Sequence, residues 1–296
     1  MKRIAIFAHY DRQSIIDDYV VIYLESLKES VDKIIFVSDC ILSADELKKI
    51  DHVVFHTICE EHGEYDFGSY KRGIFFIENS LENYDELIIL NDSCYLISSL
   101  EPIFKEMAIR RGCDFWGLSQ NQDCYPEHVQ SYFLVFNKKV FTSEAFLDFF
   151  HSIKKEKNKS SVILNYEIGL TTKLVEAGYI KDSFIKKIFK HNPTCSENFF
   201  SELVPAGFPL IKIELLLKNP ENVNNLQRWL DIPNITQIKA IQSHIYRIRN
   251  RISQKKIDIS PPKIDISFLK IFRLLLKNGY LRIKFFGLHL IKKKLH

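Results

Sequence analysis

Three short stretches hold the side chains best suited to chemistry. The first is Asn91-Asp92-Ser93, which follows an apolar run from Leu87 to Leu90. A run of that kind, with charge before it and polar groups after it, predicts a buried parallel strand. Ligands of open α/β sheets sit outside the carboxyl ends of the strands, so Asp92 is placed to meet one. As a hard oxygen donor Asp92 can hold Mg²⁺ or Mn²⁺ jointly with diphosphate oxygens, with His191 as a candidate further ligand. The plainer roles are a turn cap for Asp92 and a hydrogen-bonded structural residue for His191. In the second stretch, Glu64 to Gly73, Gly68 and Ser69 can offer backbone N–H groups to an anion at a helix N-terminus, with Tyr70 and Lys71 in the same turn. The third is Asn165-Tyr166-Glu167, opening a helix that runs to Gly178. A carboxylate at a helix start that faces the strand ends can take a proton as general base. Glu167 is the first candidate and Asp66 the second. Trp116 and Tyr132 can stack on a sugar or a base, beside Gln130, although aromatic residues at such places are more often core.

The elements that must position these groups follow from periodicity. Arg3 to Ala8, Lys33 to Ser38 and His52 to His56 read as strands, separated by helical spacing over Ser14 to Lys28 and Ala44 to Ile50. That alternation predicts right-handed βαβ crossovers and a mostly parallel sheet flanked by helices. No GxGxxG or P-loop signature follows any of these strands, which disfavours the usual dinucleotide and P-loop phosphate modes. Further on, Ile103 to Arg111 reads as a helix, Asp114 to Leu118 and Gln130 to Asn137 as strands, and Ser143 to Lys154 as a helix. A proline- and glycine-marked segment from His191 to Trp229 is expected to wrap the sheet edge.

The chain of 296 residues, 46% hydrophobic and 26% charged, fits a globular protein with a large core. Its six cysteines are scattered without a CxxC pair and are expected to be reduced thiols. No apolar run approaches the ~18 residues of a membrane span, and no secretory signal is expected. The net charge of +4 conceals a division, because Lys239 to His296 carries 15 Lys and Arg against two acids. The basic character belongs to the tail, which points to an anionic surface. Isoleucines at 238, 241, 245, 248 and 252 form one helical stripe. After a linker ending in Pro261-Pro262, a helical wheel over Ile266 to Ile291 sets Lys270, Arg273, Lys277 and Lys284 opposite Phe268 and Phe272. This predicts helices lying in an anionic bilayer interface, and nucleic acid is disfavoured as a partner.

Taken in order, Tyr65-Asp66-Phe67-Gly68-Ser69-Tyr70, Leu90-Asn91-Asp92-Ser93, Asp114-Phe115-Trp116-Gly117, Gln130-Ser131-Tyr132-Phe133, Tyr166-Glu167-Ile168-Gly169 and Gly207-Phe208-Pro209 through Asn219-Pro220 resemble the rhamnan synthesis protein F family of bacterial glycosyltransferases. The likeness spans roughly residues 1–235. It implies a GT-A-like α/β domain over 1–235; the pattern of the tail itself adds an amphipathic helix and linker over 236–262 and basic helices over 263–296. The activity implied is transfer of rhamnose or a related sugar from a dTDP- or UDP-linked donor to a lipid-linked or growing surface glycan, with inversion. The reduced cysteines and the basic tail give the expected location, the cytoplasmic face of the inner membrane with peripheral attachment, and an oligomer is compatible with this. One departure from the GT-A pattern is that Asn91-Asp92-Ser93 keeps a single acid where many such enzymes carry two, which puts metal dependence in question. The alternative is an inactive GT-A-like domain serving as a membrane-associated assembly subunit.

Overall fold

The computed structural model describes residues 1–110, 112–122, 126–189, 191–257, 272–277, 280–285 and 288–294. In its first half, strands β1 (Arg3–His9), β2 (Lys33–Ser38), β3 (His56–Cys59) and β4 (Glu86–Asn91) alternate with helices α1 (Asp18–Lys28), α2 (Ala44–Lys48) and α3 (Tyr65–Ile77). There follow β5 (Cys94–Leu96), α4 (Glu101–Ile109), β6 (Phe115–Gly117), β7 (Gln120–Asn121), β8 (His128–Val129), β9 (Phe133–Asn137), α5 (Lys138–Phe141) and α6 (Glu144–His151). The remainder comprises α7 (Lys159–Val162), a π-helical turn (Ile163–Ile168), α8 (Gly169–Glu176), β10 (Lys181–Ser183), β11 (Leu210–Lys212), α9 (Ile213–Lys218) and α10 (Ile235–Ile257).

Seven strands form one sheet in the order β10-β6-β9-β4-β1-β2-β3. All are parallel except β9, which runs against both β4 and β6. The expected mostly parallel α/β sheet is therefore present. From β1 the chain moves outward to β2 and β3, then returns to the other side of β1 as β4. The order reverses between β1 and β4, and a crevice opens at such a switch point.

The strands alternate between two cores. Ala5, Phe7, Phe36, Ile88 and Leu90 face one, while Ile4, Ile6, Ile35, Leu87 and Ile89 face the other. Burial on both faces is why these segments read as continuous apolar runs. Gly73 lets α3 lie close on β1, since a Cβ there would meet Ile6 Cγ2 at 2.5 Å.

Several boundaries differ from expectation for local reasons. Helix α1 starts at Asp18, not Ser14, because Asp11 Oδ1 accepts the Gln13 N–H at 2.7 Å and Ser14 takes φ 56°. That side-chain turn holds residues 10–17 as a loop at the sheet edge. The helix expected from Asn165 begins earlier, at Lys159, with Asn158 Oδ1 accepting the Ser161 N–H at 3.0 Å. It ends as expected at Gly178, φ 89°, whose N–H donates to Val175 O.

The first compact unit runs from Met1 to Ile245, past the expected boundary at 235, because Gln237, Ala240, Ile241 and His244 of α10 are buried in it. The second unit, Tyr246–His296, contains a three-stranded antiparallel sheet of β12 (Phe272–Lys277), β13 (Tyr280–Phe285) and β14 (Leu288–Lys294). The interfacial helices expected there are thus corrected to strands: Phe272, Arg273 and Lys277 lie in β12 and Lys284 in β13. The sequence Tyr280-Leu-Arg-Ile-Lys-Phe285 alternates polar and apolar with period two, which suits a strand. Phe268 and Lys270 lie outside the described residues. No helix among the described residues is long and apolar enough to cross a membrane.

Candidate functional site

At the switch point the carboxyl ends of β1 and β4 converge. Asn91, the last residue of β4, is buried, and its Nδ2 donates to Asp66 Oδ2 at 2.8 Å. Its Oδ1 accepts the Ser93 N–H at 3.1 Å, closing the turn. Asp92 points back towards β1. Its Oδ2 accepts the Tyr10 N–H at 2.9 Å and lies 4.0 Å from His9 Nε2. Asp66, in the first turn of α3, and Asp92, after β4, are thereby brought to one place.

Burial pushes Asp92 well above the ordinary carboxylate range, and the nearby charges of Asp66 and Asp11 add to the shift although the Tyr10 N–H opposes it. Burial also raises Asp66, against the pull of Lys212 and Lys159.

Beside these groups opens a cavity of about 660 Å³. The β1 end (His9 to Arg12), the β2 end (Asp39, Cys40), the β3–α3 turn (Glu61 to Gly63), Tyr65, Asp66, Ser69 and the loop Lys155–Lys157 line it. Such a volume lies within the usual range for small-molecule sites. Acids dominate its wall, with Asp11, Asp39, Glu61, Asp66 and Glu156 set against Arg12, Lys155 and Lys157.

Glu167 stands at a second, distinct place. It lies in the π-helical turn, not in the first turn of an α-helix. Its Oε2 accepts both the N–H and the hydroxyl of Ser131, and its Oε1 lies 3.4 Å from His128 Nε2. Burial would raise Glu167, but these donors outweigh it and hold the carboxyl below its ordinary range. His128 is raised in turn: burial opposes its charge, and bonding to Glu167 and the Pro126 carbonyl overcomes that.

Other expected contacts fall elsewhere. The Gly68 N–H donates to Glu64 O inside α3, so it is not offered to an anion, and a Cβ at Gly68 would meet Glu64 Cβ at 2.3 Å. Lys71 Nζ donates to Ile153 O at 2.7 Å, and Arg72 pairs with Glu60 and Glu64. Ser69 lines the cavity with its hydroxyl bonded to His62 Nε2 at 3.0 Å. Tyr70 is core, its hydroxyl donating to Ser131 O. Trp116 packs against Phe104 and Phe133, so it offers no face for stacking. Gln130 and Tyr132 are buried and both bond the Ser119 hydroxyl. His191 is exposed and is not part of the cavity wall.

The cation that does reach the Asn91–Ser93 turn is Lys212. Its Nζ donates to Ser93 Oγ at 2.7 Å and lies 4.7 Å from the Tyr132 ring centre. Antiparallel pairing of β11 with β5, Lys212 opposite Cys94, puts it there. The only sequence signal is the apolar pair Leu210-Ile211 after Gly207-Phe208-Pro209, and it does not name the partner strand. A third support comes from behind: Tyr19 donates its hydroxyl to Asp92 O at 3.2 Å. The Tyr19 ring packs on Tyr95 (4.9 Å) and on His244 of α10 (4.7 Å), which are themselves bonded, Tyr95 Oη to His244 Nδ1, at 2.6 Å.

Among the described residues no group of three His, Cys, Asp or Glu converges as a metal cage. Asp66 and Asp92 supply hard oxygen donors that fit a divalent cation shared with a diphosphate, not one enclosed by protein alone.

Comparison with known proteins agrees with the expected lineage. The virulence protein VirA of Vibrio anguillarum is 29% identical over 269 residues, covering 78% of this chain and 84% of that one. An uncharacterized protein of Sinorhizobium fredii is 32% identical over 123 residues, or 39% of this chain and 31% of that one. Among solved structures, core-mannan synthase A of Aspergillus fumigatus in its Mn/GDP form superposes with a TM-score of 0.39 at 10% identity, over 64% of this chain and 73% of that one. A 4-diphosphocytidyl-2C-methyl-D-erythritol synthase of Anaerococcus prevotii gives 0.36 at 13% identity, over 56% and 84%. The model of the rhamnan synthesis protein F family matches residues 34–254, and the chain belongs to that family.

Proposed function

We propose that this protein is a glycosyltransferase that moves a sugar, rhamnose or a close relative, from a dTDP- or UDP-linked donor to a surface glycan with inversion. The observation that carries this reading is the cluster of Asp66, Asn91 and Asp92 at the β1–β4 switch point, of which Asp66 lines the 660 Å³ cavity. Glycosyl transfer leaves a nucleoside diphosphate with growing negative charge beside an oxocarbenium-like sugar. An acid-rich wall repels a bare diphosphate, so the donor is expected to enter with Mg²⁺ or Mn²⁺. The cation, when bound, neutralises the leaving group. Asp92 is the residue that would hold it, and Lys212 at Ser93 adds fixed positive charge.

A base that accepts the acceptor hydroxyl proton works best with a pKa near the operating pH. Asp66, raised and at the cavity, suits that role better than Glu167, which is lowered and already occupied by Ser131 and His128. Glu167 instead orients the start of β9. The acceptor is proposed to be lipid-linked, presented at an anionic membrane surface. The excess of Lys and Arg after residue 239 supports this, and comparing liposome binding with and without residues 263–296 tests it.

Thermal shift with UDP, dTDP and GDP, each with and without Mn²⁺, is the first experiment. A nucleotide-dependent rise that needs the metal is expected. No shift with any nucleotide would favour the inactive assembly subunit.

A further inference from the structure

A second pocket, of about 530 Å³, shares no lining residue with the cavity at the switch point. Its volume suits a small-molecule site, but its lining departs from the usual apolar pattern. Four asparagines, Asn198, Asn222, Asn224 and Asn225, line it beside Glu197, Glu221 and Arg228.

These four amides are not spent on the fold. Asn219, at the head of the same loop, accepts the Val223 N–H at 2.8 Å and donates to the Val223 carbonyl at 3.0 Å. The side chains of Asn198, Asn222, Asn224 and Asn225 have no such partner among the described residues. Asn198 and Asn225 each stand immediately before a helical turn, where an asparagine side chain ordinarily accepts a following N–H, and neither does so. Asn222 and Asn225 have φ 52° and 46°, left-handed values that glycine would meet as well, so the backbone does not call for an amide there. Glu197 and Arg228 are paired, with the guanidinium 4.0 Å from the Phe200 ring centre, and fix the wall.

A carboxamide offers two donors and an acceptor. That complements adjacent sugar hydroxyls, each of which both donates and accepts. Two carboxylates against one guanidinium make the wall unsuited to an anion. Among the described residues no three His, Cys, Asp or Glu gather there as metal ligands. The lining therefore selects a neutral polyol.

The position of the pocket says which polyol. The turn Pro193–Cys195, just before Ser196 of the lining, packs on β11 and α9. β11 ends in Lys212, at the Ser93 hydroxyl, and the six residues of α9 lead from there to the asparagine loop over roughly 9 Å. An oligosaccharide spans that gap.

We infer that this pocket is an acceptor subsite, holding neutral sugar units of the growing glycan behind the terminal unit that reaches the Ser93 turn. This rests on the glycosyltransferase reading. Hydrogen bonds made there, remote from the reacting hydroxyl, serve to orient it.

The test measures binding of neutral tetrasaccharides (from rhamnan, maltotetraose and chitotetraose), of an acidic one (tetragalacturonate), and of UDP and dTDP with Mn²⁺. It compares the full chain with the double variant Asn222→Gly, Asn225→Gly, which keeps the left-handed backbone, and with Asn198→Ala, Asn224→Ala. The wild type is expected to bind a neutral tetrasaccharide in preference to the acidic one. Each double variant should weaken that binding about 10-fold and leave nucleotide binding within about twofold. Tetrasaccharide binding unchanged in both variants overturns the subsite, as does an equal loss of tetrasaccharide and nucleotide or a preference for the acidic probe. A wild-type chain that binds nucleotide but no tetrasaccharide also overturns it, and leaves the glycosyltransferase reading intact. One that binds a tetrasaccharide but neither nucleotide removes the glycosyltransferase reading, and the acceptor assignment with it.

Discussion

Asp66 and Glu167 are both carboxylates at one edge of the same sheet, close enough that Glu167 helps raise Asp66, yet their environments drive them apart. At Asp66 burial prevails and the acid is raised. At Glu167 two donors from Ser131 and one from His128 prevail, and the acid is lowered. The difference comes from how each is presented. Asp66 receives a single amide N–H from Asn91 and opens on a cavity, whereas Glu167 is turned into the start of β9. A carboxylate that is raised and accessible is free to exchange protons or bind a cation; one that is lowered and saturated is a fastener.

The largest expected effect is on turnover at the open site. Asp92→Ala or Asp66→Asn should cut donor consumption by roughly 100-fold or more, and Asp92→Ala should also remove the Mn²⁺-dependent thermal shift. Near-normal rates in both would erase the distinction drawn between the two acids. Chelating the metal from the wild type is expected to have a similar effect on rate, restored by adding Mn²⁺.

Next in size is stability at the fastened site. Glu167→Gln should cost about 3 kcal/mol by leaving His128 without its carboxylate, measured by urea denaturation. The pH dependence sharpens this. Glu167 is lowered, so its contribution is present above its unfolded value near ~4.3 and is lost as pH falls through the folded value. His128 is raised, so its contribution is complete below ~6.5 and is lost as pH rises through the folded value. The wild-type advantage over Glu167→Gln should therefore peak between about pH 4.5 and 6.5.

The open site should behave oppositely. Asp92 is raised, so the folded state binds its proton more tightly than the unfolded chain, and ionisation destabilises the fold as pH rises. Asp92→Asn, which still accepts from Tyr10, should gain in melting temperature relative to wild type between pH 4 and pH 8. A constant difference across that range would show that Asp92 is not raised.

The smallest effect concerns Lys212. Lys212→Met removes one fixed charge from the Ser93 turn and should weaken nucleotide binding about 3- to 10-fold, read by calorimetry.

The central strand and the position of Asp92 were legible because a run buried on both faces leaves a one-dimensional trace: Leu87 to Leu90 between charge and Asn-Asp-Ser. The parallel order followed from alternation alone. The wall of the cavity was not legible. Tyr10, Asp11, Arg12 and Ser14 line it because Asp11 folds its own backbone into a turn, and helical spacing through Ile15 and Ile16 masks that. Lys212 was missed because its place depends on pairing with a strand far back in the chain, and no local pattern encodes a partner. Trp116 and Tyr132 show the opposite failure, since their type suggests ligand stacking while the packing of Phe104, Phe133 and Phe208 claims their faces. In the tail, charge and apolar residues fit a period of 3.6 as well as 2, so composition was readable and conformation was not.

The contact of His244 with Tyr95 and Tyr19 has a practical consequence for where the enzyme ends. Every side chain that lines the cavity lies before residue 158, so trimming at Asn234 looks harmless on paper. It would nonetheless take away the backing against which the Asp92 carbonyl is held, and remove the bond between the Tyr95 hydroxyl and the His244 imidazole. Hydrogen exchange over residues 91–96 should then quicken in the trimmed protein and stay slow in one ending at residue 257. The first turns of the last long helix would thus belong to the active centre although none of their atoms reaches it.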